Sequence, residues 1–147
     1  MTPDLNILVA AYRTDHPHHE TAYTWLVQAR HDCALGSAYL ALLPMIAVGF
    51  LRLVTNPRVF SEPDPMEDAL AFIDVLLDSP GIEMLDCGKE WPLLRDKPLA
   101  LGVHGNLVTD AWIVSAVQSV GEHLVTFDRD FKRLLPTRDF SILEPAG

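Results

Sequence analysis

Cysteine is scarce in this chain: Cys33 and Cys87 are the only two. They form no metal-type pair, and in a chain without a secretory signal both are expected as reduced, buried thiols. Long hydrophobic runs are missing as well. The apolar stretches, such as Leu40–Leu43 and Ile113–Val117, are short and broken by charge or turn residues. None approaches the roughly 20 residues needed to span a bilayer, so no membrane partner is expected. The opening Met1-Thr2-Pro3-Asp4 has no basic n-region, which makes the cytoplasm the default compartment. Basic residues are few too: 11 Lys and Arg face 20 Asp and Glu, for a net charge of −9. Nucleic-acid binders usually show a basic patch, because phosphate contacts supply most of their affinity. The deficit is uneven, however. Half of the acids lie between Glu62 and Asp96, whereas Arg129, Lys132, Arg133 and Arg138 cluster near the end. An acidic face and a basic rim can coexist on one molecule.

What is present is an ordinary globular composition, nearly half apolar and about a fifth charged, in 147 residues. That length suits one domain over residues 1–147 and leaves no room for a second core. Apolar residues at Ala22, Trp25, Leu26 and Ala29 predict a helix over His19–Arg30. Cys33–Leu35, closed by Gly36, reads as a strand. Ala38–Leu53 reads as a buried helix ending at Thr55-Asn56-Pro57, and Pro63–Leu77 as an amphipathic one. Ser79-Pro80-Gly81 is a turn into a strand at Ile82–Leu85. Leu107–Val120 reads as a helix, His123–Phe127 as a strand, Phe131–Leu135 as a short basic helix, and Phe140–Leu143 as a last strand. Strands alternating with helices predict an α/β domain with a parallel-rich sheet and helices on its faces.

In such sheets ligands bind at the carboxyl ends of strands. Asp4 sits near the chain start, Asp110 in the first turn of the helix after His104-Gly105-Asn106, Asp128 directly after Leu124-Val125-Thr126-Phe127, and Asp130 two residues on. Acids at element ends, far apart in sequence, can converge on one crevice, and carboxylate oxygens are the ligands that Mg²⁺ and Mn²⁺ prefer. Each acid also has a structural role open to it. Asp110 suits a helix N-terminus, Asp128 can cap the helix that follows, and Asp4 can serve a turn.

Four segments resemble the landmarks of one family. They are Asp4-Leu5-Asn6-Ile7-Leu8, Gly49-Phe50-Leu51-Arg52-Leu53-Val54-Thr55-Asn56-Pro57-Arg58-Val59-Phe60, Gly105-Asn106-Leu107-Val108-Thr109-Asp110-Ala111 and Thr126-Phe127-Asp128-Arg129-Asp130-Phe131. In this order, spread over almost the whole chain, they are similar to VapC toxins, the PIN-domain ribonucleases of toxin–antitoxin pairs. The resemblance implies a PIN fold, in which Asp4 ends the first strand and Ile7–Tyr12 begins a helix. It also implies Mg²⁺ or Mn²⁺ at Asp4, Asp110 and Asp128, with Asp130 as an extra acid positioning water. Asn6 and Thr126 match polar residues that orient these carboxylates. The implied partners are RNA, a VapB-like antitoxin and a second copy of the chain in a homodimer. In many relatives a glutamate precedes the Gly-Phe-Leu-Arg stretch; here Met45-Ile46-Ala47-Val48 stands there, and the alignment points to Ala47 as the substituted position.

Other residues carry two readings each. Arg52 could touch RNA phosphate or pair with an acid, the ion pair being favoured. Asn106 and His104 are candidates for the pocket rim beside Asp110. His16, His18 and His19 could bind a transition metal, or could simply be polar residues before a helix. Trp25, Trp91 and Trp112 could stack bases, but their apolar neighbours favour packing. Glu62 or Asp64 could fold back to replace the missing glutamate. Two rival functions remain in view. One is a catalytically weak PIN domain that binds RNA or a partner. The other is a phosphotransferring hydrolase of the haloacid-dehalogenase type, which expects Asp-x-Asp where this chain has Asp4-Leu5-Asn6.

Overall fold

A computed structural model describes residues 1–145. The last two residues of the domain expected over 1–147 lie outside the described ones. The chain runs β1 (Thr2–Pro3), α1 (Leu5–Tyr12), α2 (His19–Ala34), β2 (Leu40–Leu42), α3 (Pro44–Val54), α4 (Met66–Leu77), β3 (Ile82–Met84), α5 (Trp91–Leu101), α6 (Leu107–Val120) and β4 (Leu124–Thr126). Short 3₁₀ helices at Arg129–Arg133 and Thr137–Asp139 lead into β5 (Phe140–Ile142).

Every strand pairing is parallel. β1 pairs with β4 and β4 with β5, while β2 pairs with β3. The Ala41 N–H donates to the Met1 carbonyl at 2.8 Å and joins the two ladders, giving the order β3-β2-β1-β4-β5. Leu40, Ala41 and Leu42 are all buried although neighbours on a strand point to opposite faces, so both faces of the sheet are covered. From β1 the chain builds outward to β2 and β3, then returns to lay β4 and β5 on the other side of β1. The direction of winding therefore reverses between β1 and β4. The connections leave these two strands in opposite senses, and a crevice opens at their carboxyl ends.

The core is aliphatic, with one aromatic knot. Ile7, Leu8, Leu42, Ile46, Val114 and Val117 are almost fully buried. The Tyr12 ring meets Phe50 edge-on at 5.3 Å and Phe72 at 5.0 Å, tying α1, α3 and α4 together. Beside it the buried Arg13 guanidinium bonds Asp15 through Nε (2.9 Å) and Nη2 (2.6 Å) and Asp64 through Nη1 (2.7 Å). Nη1 also donates to the Glu62 carbonyl, and the guanidinium carbon lies 4.1 Å from the centre of the Phe60 ring.

Three local expectations are corrected. Cys33–Leu35 is no strand: it is the end of α2 and its cap, and the chain turns out of the helix at Gly36, whose φ of 74° costs glycine nothing. Ala38–Leu53 is not one helix. Leu40–Leu42 pairs with Ile82–Met84 as a strand, and Pro44 opens a separate helix at a position where its missing N–H is no loss. An apolar run alone does not tell a buried strand from a buried helix. Helix α5 was not anticipated, because Pro98 falls inside it and none of its residues is buried, so no apolar period marks it. The Ser79-Pro80-Gly81 turn does form. Gly81 has φ 74°, and a Cβ there would meet Cys33 at 3.0 Å, so only glycine fits this approach of the turn to α2.

Candidate functional site

The carboxyl ends of β1 and β4 carry Asp4 and Thr126 side by side. Asp4 is buried and caps α1: its Oδ1 accepts from the Leu5 N–H at 2.7 Å and its Oδ2 from the Thr126 hydroxyl at 2.6 Å. The same Thr126 oxygen accepts from Asn6 Nδ2 at 3.1 Å and from the Asp128 N–H at 3.0 Å. Asn6 Oδ1 in turn accepts from the Phe127 N–H at 3.2 Å. Asn6 and Thr126 thus clamp the start of α1 to the end of β4, and the Asp4 carboxylate is held by both oxygens. Asp128 caps the 3₁₀ helix, accepting from the Asp130 N–H at 2.8 Å. The structural roles open to Asp4 and Asp128 are real, and they position the acids rather than compete with a site.

Asp110 enters from the first turn of α6. With Asp4 and Asp128 it lines an open cleft of about 420 Å³, whose other walls include Val9, Leu53, Phe60 and Ile113. Electrostatics bear out the proximity. Burial pushes the Asp4 carboxyl up to about 6, against the hydrogen bonds from Thr126 and Leu5, and the charges of Asp110 and Asp128 push it the same way. Asp110 is raised by desolvation, then by Asp128 and Asp130. Carboxylates crowded in this way suit a hard divalent cation, which would relieve both the repulsion and the desolvation. Among the described residues, no three His, Cys, Asp or Glu side chains stand together as a group that could hold a metal ion.

The remaining candidates are dispersed. Asp130 does not line this cleft; it lines an adjoining pocket that shares Asp110 with it. Asn106 is exposed at the start of α6 and lines neither, and His104 hydrogen-bonds the Gly102 carbonyl at 3.1 Å. Arg52 is exposed at the edge of a separate apolar hollow with Met45, Val48 and Trp112. It makes no ion pair among the described residues, contrary to the favoured expectation. Asp64 is paired with Arg13, and Glu62 and Asp64 line a separate pocket around Arg13 rather than the acidic cleft, so neither acid replaces the missing glutamate. Ala47 is buried on α3 and does not line the acidic cleft; Leu53 does, and Gly49, one turn before Leu53, packs on Leu5. Trp91 is largely exposed, Trp25 packs on the core, and Trp112 donates to Glu90 at 3.0 Å.

The histidines do not gather into a metal site. His16 Nδ1 accepts from the His18 N–H, His18 lies against Phe127, and His19 Nδ1 is 2.8 Å from the Ala10 carbonyl. His16 nevertheless lines the acidic cleft, a placement apart from the histidine cluster that the sequence suggested. At the basic end, Arg129 is engaged by both oxygens of Glu144, while Lys132 and Arg133 stay exposed.

The PIN domain model matches residues 1–134. Ribonuclease VapC31 of Mycobacterium tuberculosis is 35% identical over 139 residues, covering 92% of this chain and 93% of the relative. Ribonuclease VapC25 of the same organism is 34% identical at the same coverage, and Ribonuclease VapC33 is 32% identical over 116 residues, 79% of this chain and 75% of its own. The crystal structure of VapBC2 from Rickettsia felis, bound to a DNA fragment from the promoter, superposes with a TM-score of 0.66 over 97% of this chain and 98% of that chain, at 21% identity. At that identity the likeness speaks for the fold. The matched segment contains all four acids. The chain belongs to the PIN-domain family and, within it, to the VapC ribonucleases.

Proposed function

We propose that the chain is the ribonuclease toxin of a VapBC-type toxin–antitoxin pair, a single PIN domain over residues 1–147 that hydrolyses RNA phosphodiester bonds. The observation that carries this reading is the cleft at the β1–β4 reversal, lined by Asp4, Asp110 and Asp128, where burial together with the charges of Asp110 and Asp128 makes the Asp4 carboxylate seek positive charge. These three carboxylates would hold Mg²⁺ or Mn²⁺, directly or through water. Mg²⁺ usually keeps several waters and takes one or two carboxylates, so a closed protein cage is not required. Once bound, such a cation supplies positive charge to a phosphate gaining negative charge and acidifies water.

The chain's own residues do the positioning. Thr126 and Leu5 fix both oxygens of Asp4, and Asn6 fixes Thr126, so the carboxylate needs little reorganisation when the charge arrives. Single-stranded or looped RNA is the expected substrate, because its unpaired bases and backbone can be splayed into an open cleft. The exposed Lys132 offers a phosphate contact on an otherwise acidic molecule. A free ribonuclease would attack its own cell's RNA, so an antitoxin is the expected partner. A VapB-like segment would lie in the hollow beside α3 and α6 and direct an arginine at the acids, and the toxin would act as a homodimer.

The alternative, a catalytically weak PIN domain that binds RNA or a partner, is favoured by the absence, among the described residues, of a group that could hold a metal ion and of an acid on α3 facing the cleft. Cleavage of total cellular RNA, run in parallel with Mg²⁺, Mn²⁺ and chelator, decides between them. Cleavage that requires the cation supports the nuclease, and retained RNA binding without cleavage supports the alternative. Co-expression with the neighbouring small reading frame, followed by size-exclusion chromatography with light scattering, tests the partner and the dimer.

A further inference from the structure

A second pocket, of about 240 Å³, opens beside the acidic cleft and is separated from it only by residues the two share, Asp110 and Phe131. Its walls are apolar: Leu101 from the end of α5, Val103 from the connection, Leu107 from the start of α6, and Phe131. Two exposed charges, Asp130 and Arg133, also line it. Both belong to the 3₁₀ helix and are three residues apart, the spacing at which side chains on such a helix eclipse and face the same way. Among the described residues, neither side chain has an ion pair.

We infer that this pocket seats the nucleobase next to the scissile phosphate and selects guanine. The inference rests on the ribonuclease reading. A phosphate at Asp4, Asp110 and Asp128 leaves the neighbouring nucleotide beside Asp110, where the pocket begins. Apolar walls with one aromatic ring take the face of a base and exclude water from it. The polar groups then choose among the bases. An ionised carboxylate only accepts hydrogen bonds. Guanine presents two adjacent donors, N1–H and the 2-amino group, to such an acceptor pair. Adenine and cytosine set a ring-nitrogen acceptor beside their amino group, and uracil flanks its one N–H with two carbonyls; in each case an acceptor would face the carboxylate. Arginine donates to O6 and N7 of guanine. Asp130 and Arg133 together therefore complement one base. They also assign Asp130 to reading the substrate, in place of the water-positioning role that its place in the motif suggested.

The test uses the intact chain with three substrates. A library of short RNAs randomised around a central position is digested and the products sequenced. Bis(p-nitrophenyl) phosphate with Mn²⁺ reports the hydrolytic chemistry without any base. Guanosine, adenosine and uridine are titrated while the methyl resonances of Val103 and Leu107 are followed. The wild type should prefer guanine at one position flanking the cut by about tenfold to a hundredfold, the range typical of a bidentate base contact. Leu101→Trp, which fills the pocket from an exposed position, should lose most of that preference while hydrolysing the small diester at the wild-type rate, and Arg133→Ala should lose the preference for guanine over the other bases. Guanosine should shift the two resonances in the wild type and not in Leu101→Trp. RNA cleavage without a base preference, or a preference that survives both substitutions, overturns the inference and leaves the ribonuclease reading standing. If neither RNA nor the diester is hydrolysed, the ribonuclease reading fails. The nucleoside titration then decides the pocket by itself, and equal or absent shifts for guanosine and uridine overturn it.

Discussion

Replacing Asp4 by asparagine removes a buried charge without changing the shape of the side chain. In the folded chain the Asp4 carboxyl titrates at about 6, against 3.8 for an unperturbed aspartate. At roughly 1.36 kcal/mol per pH unit of displacement, that difference corresponds to about 3 kcal/mol. The sign follows from proton binding. Between about pH 4 and pH 6 the folded protein holds a proton on Asp4 that the unfolded chain has released, so stability falls as pH rises through this window. Below it both states are protonated and the cost vanishes; above it the cost is complete. Asparagine does not titrate. It also accepts through one atom only, so it loses one of the bonds from Leu5 and Thr126, a fixed loss of about 1–2 kcal/mol that does not vary with pH. The measurement is urea denaturation of both proteins in metal-free buffer at about pH 4, 5, 6 and 7. The stability of Asp4→Asn minus that of the wild type should grow by about 3 kcal/mol from the acid to the neutral end. Added Mg²⁺ should shrink the neutral-pH gap by stabilising the wild type alone. A difference that stays flat with pH, or that grows toward acid, refutes the placement of an uncompensated carboxylate at this strand end.

The same acids make a prediction in activity. Asp4→Asn, Asp110→Asn and Asp128→Asn should each lower RNA cleavage by a hundredfold or more, of the order seen when a single electrostatic group of an active site is removed, and any two variants cleaving at the wild-type rate would dismiss the site. Ala47→Glu should destabilise the protein by about 3 kcal/mol or more, because an unpaired charge would enter a buried position; a raised Mg²⁺ affinity in titration calorimetry would instead show that α3 aims this position at the cleft. Arg13→Ala should cost about 3 kcal/mol in chemical denaturation through loss of its bonds to Asp15, Asp64 and the Glu62 carbonyl, and a loss below about 0.5 kcal/mol would mean the cluster behaves like an exposed ion pair.

Much of the molecule is local chemistry and can be read along the chain. The helix at Leu107–Val120 has bounds that its apolar pattern predicts, and the strands around Leu124 and Phe140 differ from expectation only at their ends. The candidate acids stand out because each follows a strand or opens a helix. The places where local pattern misled are those where burial came from elsewhere in the chain. Leu40–Leu42 is as apolar as a helix interior and is a strand only because Ile82–Met84 lies alongside it. Helix α5 hides its period because it buries no side chain. Asp64 was free to be a ligand until the fold brought Arg13 to it from 51 positions away.

The site divides along the same line. The sequence by itself determined the inventory: carboxylates at or beside element ends, at Asp4, Asp110, Asp128 and Asp130, and a short basic helix after β4. Capping and the polarity of helix and strand ends act over a few residues, so these features are written locally. Only the tertiary structure decided which of them meet. Asp4 and Thr126 are 122 positions apart and share a hydrogen bond because β1 lies against β4. Asp130, two residues from Asp128, lines the next pocket because the 3₁₀ turn capped by Asp128 directs the two side chains apart. Spacing along a chain sets direction only within one regular element, whereas the convergence of separate elements depends on how the whole core packs.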